Sequence, residues 1–243
     1  MSLRKILNDT EKEWKRNTWL IFIFSIMFVI SMLALFLAPS PTYLSLGGTF
    51  MRIGSIPEMN LTDMIVVVLA YLLSLFIFAD AITNINLLIK ANRTQNKIPK
   101  EIFSGVFKYA IKVFLIYTIA VLLAFSVNVA TFDSPYHNII YPFLSFFFFL
   151  AVFFVPPAIV IDDMDTFRAV ALSAKMVLAK WKLVLLWAVA ALFIISFVEL
   201  TLFLAIPVSI AKYLVLAVNG LVIIPLLTIF QTQVYLERYP LSP

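Results

Sequence analysis

The chain has 243 residues, 63% of them hydrophobic and 13% charged, with a net charge of +5 and no cysteine. A soluble domain sits near about half apolar and about a quarter charged, so the apolar surplus exceeds what a buried core holds, and lipid must cover the rest. The lack of cysteine removes disulfides, thiolate metal sites and thiol catalysis, and a single histidine, His137, argues against an imidazole-rich metal centre. The positive balance fits the lysine and arginine bias of cytoplasmic loops better than nucleic-acid binding.

Six apolar runs follow in chain order, at about 18–38, 61–87, 106–129, 139–161, 183–206 and 213–235. Each is long enough to cross about 30 Å of hydrocarbon as a helix. The runs are continuous and not alternating, which favours helices over barrel strands. The predicted fold class is therefore an all-α membrane protein: one polytopic domain of six transmembrane helices with cytoplasmic amphipathic segments, arranged as three pseudo-repeated hairpins. The first run is too long for a cleavable signal and no small-x-small site closes a shorter core, so it reads as a span.

Segment 1–17, before the first span, puts Leu3, Ile6, Leu7, Thr10 and Trp14 on one helical face. A similar stretch opens with Pro99 at a first helical position and carries Ile102, Phe103, Val106 and Tyr109 into the third span. All lysines and arginines except Arg52, Lys212 and the intramembrane Lys112 fall on the side of the N-terminus, which predicts a cell-membrane protein with both termini cytoplasmic. Asn60 opens an Asn-Leu-Thr acceptor pattern on the opposite side.

Charges within spans are expensive and mark functional positions. Asp80 and Lys112 lie at similar depth in the second and third spans and are expected to pair, with Asn84 and Asn86 nearby. Glu199 lies in the outer half of the fifth span, within reach of Asn219 in the sixth. Asp80, Lys112 and Glu199 could mark a transport route, or these three together with Asn219 could be structural polar contacts. His137 is expected at the outer interface, and the phenylalanine run 143–154 either packs between helices or lines a lipid groove.

The stretch from Val155 to Lys182 joins the fourth and fifth spans. Pro156 and Pro157 are expected to break the end of the fourth helix, and Asp163 or Asp165 to cap a new one at about 164–181. Phe167, Val170, Ala171, Ala174, Val177, Leu178 and Trp181 form one face of that helix, and Arg168, Lys175 and Lys182 favour the other. This pattern predicts a helix in the interface, with Arg168, Lys175, Lys180, Lys182 and Trp181 meeting anionic headgroups. The acids Asp162, Asp163 and Asp165 admit a second reading, a metal-dependent lipid enzyme. The arrays that bind Mg²⁺ and diphosphate are longer, however, and here the fifth position is Thr166 with no second acidic cluster. No phosphate-cradling glycine loop, nucleophile elbow or metal-binding helix motif occurs in the chain.

Residues 153–189 combine Pro156 or Pro157, Asp162, Ala169, Ser173, Lys180 and Trp181, and the last span carries Pro225, Thr228, Tyr235 and Arg238. This pattern resembles a prokaryotic group of six-helix proteins related to the membrane domain found beside some glycerophosphodiester phosphodiesterases. The resemblance implies a helical membrane domain. It does not imply phosphodiesterase activity, which belongs to a separate soluble domain of that group without a counterpart in these residues. The expectation is a non-catalytic membrane protein that contacts anionic lipid or a partner membrane protein, with no cofactor, metal or nucleic acid.

Overall fold

The computed structural model describes residues 3–35, 61–94 and 98–237; of residues 98–107 only the backbone is described. Asn60, Arg52, Arg238 and the side chains of Ile102, Phe103 and Val106 lie outside that description. The described residues form helices only: α1 (Leu3–Ala34), α2 (Leu61–Thr94), α3 (Ile98–Thr131), α4 (His137–Ala151), α5 (Val155–Ile161), α6 (Thr166–Ala179), α7 (Trp181–Ala205), α8 (Val208–Val218) and α9 (Ile224–Leu236), with a π-helical turn Asn219–Ile223 between the last two. Six stretches are long and apolar enough to cross a membrane, so this is an all-α, multi-pass membrane protein.

The amphipathic segments join their spans in different ways. α1 is helical on both sides of Asn17, whose backbone (φ −126°, ψ 22°) interrupts it. The Asn17 amide reaches back 3.3 Å to the Glu13 carbonyl, the local bond by which asparagine competes with a helix. α3 runs unbroken from Ile98, with Pro99 in the first turn, where a missing N–H leaves no bond unmade. Only α6 stands as a separate helix.

The fourth span departs from expectation. The helix stops at Ala151, and the prolines lie in the first turn of the next one, just after Val155. The break therefore falls at 152–154, upstream of Pro156 and Pro157, because proline fixes a φ suited to a helix start and clashes only with a preceding turn. α5 is almost wholly buried.

α2 is the hub. It packs on α1, α3, α5 and α9, and residues 79–89 are all buried. α7 is the opposite case, packed on α6, α8, α9 and the π turn, with most of its surface free for lipid. The π turn contacts α1 through Gly220, where a Cβ would lie 2.7 Å from Val29 Cγ2. Small residues of this kind let membrane helices approach closely.

Candidate functional site

A break in a membrane helix frees backbone groups that lipid cannot satisfy. Here side chains from three other helices supply the partners. Ser173 of α6 accepts a hydrogen bond from Phe154 N–H at 2.9 Å, and Gln231 of α9 donates to the Phe153 carbonyl. Lys90 of α2 donates to the Val160 carbonyl at 2.7 Å, at the end of α5. The Tyr235 hydroxyl of α9 donates to Asp162 at 2.5 Å. Gln231 and Lys90 were not singled out as site residues by the sequence: their partners are 78 and 70 positions away, and no local pattern marks them.

The acids of the turn face separate partners. Asp162 meets Tyr235. Asp163 lies 2.9 Å from Lys108 Nζ and Asp165 lies 3.5 Å from Lys112 Nζ. The hydrogen bond from Lys108 holds the Asp163 carboxyl below its ordinary value. Asp163 adopts a left-handed backbone (φ 57°), which aspartate tolerates better than most residues. Asp165 does occupy the position before α6, in extended conformation, but its side chain makes no cap bond. Its carboxylate is turned to Lys112 instead, an ammonium being a stronger donor than a neutral amide.

That contact also replaces the expected Asp80–Lys112 pair. Lys112 leaves the bundle interior for the turn, while Asp80 is buried and accepts a bond from Asn84 Nδ2 at 3.1 Å. Depth along two spans was legible in sequence, but the direction each side chain takes around its helix was not. Glu199 is buried on α7 with Oε1 lacking a hydrogen-bond partner, and Asn219 begins the π turn, fully buried. Asp80, Lys112 and Glu199 thus sit in three separate settings. Among the described residues, no three His, Cys, Asp or Glu side chains are grouped to hold a metal.

α6 carries three stripes. Ala169, Ser173 and Met176 are buried against the bundle. Phe167 is 86% exposed and Leu178 76%, forming an apolar stripe that no described helix covers. Arg168, Lys175 and Lys182 are exposed beside it. Trp181 is also exposed, with Lys182 Nζ 5.7 Å from its ring centroid. Lys180, at the end of α6 and about one-third exposed, forms a 2.7 Å ion pair with Glu237, whose side chain is almost fully buried. Next to α6 an apolar groove of about 150 Å³ opens between α4, α6 and α7, lined by Phe146, Leu150, Val177, Trp181, Val184 and Leu185.

At the far end, His137 starts α4, with Nδ1 3.0 Å from the Thr131 hydroxyl and its ring stacked on Tyr141. No protein-family model matches the chain, and neither a curated protein nor a solved structure does so. The resemblance noted above therefore rests on its own residues.

Proposed function

We propose that this chain is a non-catalytic protein of the cell membrane that holds anionic lipid at its cytoplasmic, basic face, with both termini on that side. The three stripes of α6 carry the reading. The buried stripe fixes the helix to the bundle, Phe167 and Leu178 suit the acyl region, and Arg168, Lys175 and Lys182 suit phosphate. The adjoining apolar groove gives an acyl chain a bed, and Trp181 at its mouth suits the headgroup level. Each basic residue near an anionic surface contributes about 1 kcal/mol.

The other readings find less support. The acids of the α5–α6 turn are engaged one by one in fastening it, so they do not converge on a shared point. The three charges of the transport reading do not line one path. The test is native mass spectrometry of the purified protein with anionic and zwitterionic lipid offered together. Arg168→Gln, Lys175→Gln and Lys182→Gln combined should strip retained anionic lipid and leave zwitterionic lipid unchanged. Equal retention of anionic lipid by the variant would defeat the proposal.

A further inference from the structure

The sealed part of α2 contains a group of oxygens that the lipid reading does not use. Asp80 Oδ1, Thr83 Oγ1 and Asn84 Oδ1 are all inaccessible and all lack a hydrogen-bond partner. Their residues are 7%, 0% and 5% exposed. The spacing of three and four positions puts them on one face of a single helical turn.

Two details set this turn apart. Thr10, Ser25, Thr228 and Thr232 all donate to the carbonyl four residues back in their helix, the usual way a hydroxyl is satisfied in an apolar helix. Thr83 does not. Asn84 donates its amide to Asp80 Oδ2 at 3.1 Å, which holds its own Oδ1 as an acceptor without a donor. The three oxygens also make no bond to one another, as an ion lying among them would require.

The set is all oxygen with one formal negative charge. An ionised carboxylate buried alone costs several kcal/mol or more, and no lysine or arginine of the described residues forms an ion pair with Asp80. A proton would cancel the charge but could supply a donor to only one of the remaining oxygens. A divalent ion would leave a net positive charge in the bundle. Hard oxygen donors suit a hard cation. We propose that this turn of α2 binds one small monovalent cation, with Asp80 supplying the charge and Thr83 Oγ1 and Asn84 Oδ1 the neutral ligands.

The test is the thermal midpoint of the full chain in detergent, at fixed pH and ionic strength, as choline chloride is exchanged for lithium, sodium or potassium chloride. A cation that binds only the folded state raises the midpoint with its concentration. At least one of the three should do so, and Asp80→Asn should abolish the response. Thr83→Val, which keeps the shape and removes the oxygen, should raise the concentration needed by at least about tenfold. It also serves if the Asp80 variant does not fold. The proposal is overturned by equal midpoints in all four salts, by a response that Thr83→Val leaves unmoved, or by a midpoint that follows pH alone. The lipid retention of the α6 variant is independent of every one of these outcomes.

Discussion

The basic half of the bundle and the far half are built from the same apolar helices but held together differently. In the basic half, side chains bridge helices distant in sequence. Asn92 meets Glu13 at 2.9 Å, Asn86 meets Thr232 at 2.9 Å, and Trp187 donates to the Leu227 carbonyl at 2.9 Å. In the far half, the hydroxyls of Ser126 and Thr201 bond within their own helices, Thr131 reaches only six positions on, to His137, and large apolar side chains such as Phe132 and Leu204 stay exposed; nearer the middle, Ser31 of α1 donates to the Ser74 carbonyl of α2 at 2.8 Å. Lipid is as apolar as leucine, so burial alone does not choose between arrangements of helices. The half that carries the broken span is the half where polar contacts and close packing specify one arrangement.

Two phenylalanines test that difference most directly. Phe154 is fully buried at the break, and its ring lies edge-on to Phe153 at 4.8 Å. Phe193 on α7 is 70% exposed. Phe154→Ala should cost about 3 kcal/mol, toward the low end for a buried phenylalanine, because in lipid the transfer part is missing and the packing part remains. Phe193→Ala should stay within about 0.5 kcal/mol. Equal losses in a detergent unfolding titration would erase the distinction between the halves.

Gly220 comes next. An added Cβ would meet Val29 Cγ2 at 2.7 Å and the Val29 backbone nitrogen at 3.3 Å. Gly220→Ala should destabilise by about 1–3 kcal/mol, as overpacking does. Val29→Ala in the same chain should recover part of this, since it removes the side-chain clash and leaves the backbone contact. Full recovery would mean the helix backbones are less closely pressed than their spacing implies.

The class of fold was open to the sequence because the solvent writes it plainly: lipid demands long apolar runs, and six are present. The separate α6 was legible for a similar reason, since its acids, apolar ridge and lysines follow one helical period. Local rules failed where two of them compete. Proline can end a helix or begin one, and at Pro156 the second applied. Aspartate can cap a helix or meet a lysine, and at Asp165 the lysine prevailed. Contacts set by direction around a helix axis lie beyond sequence patterns, as the turn of Lys112 to Asp165 instead of Asp80 shows. Thr83 carries no signal in the sequence, because a threonine in a span is ordinary unless its hydroxyl lacks its usual partner.

The smallest effect concerns the turn that closes the basic half. Bonding to Lys108 depresses the Asp163 carboxyl in the folded state, against an unfolded value of about 3.9. A depressed carboxylate stabilises the fold above its unfolded value, and that share fades as pH falls through the folded one. Acidification from about pH 7 to about pH 5 should therefore leave this contribution intact, and its loss should begin below about pH 4. Both side chains are about half exposed, so the effect is small and should shrink further in about 1 M salt. Asp163→Asn should lower the melting midpoint slightly at neutral pH and flatten the acid limb. Asp163→Gly separates charge from backbone, because it loses the same ion pair while relieving the left-handed φ of 57°. If the glycine variant melts higher than the asparagine one, the turn is strained by its shape and the lysine offsets that strain. If both melt alike, the bond to Lys108 is all that Asp163 contributes.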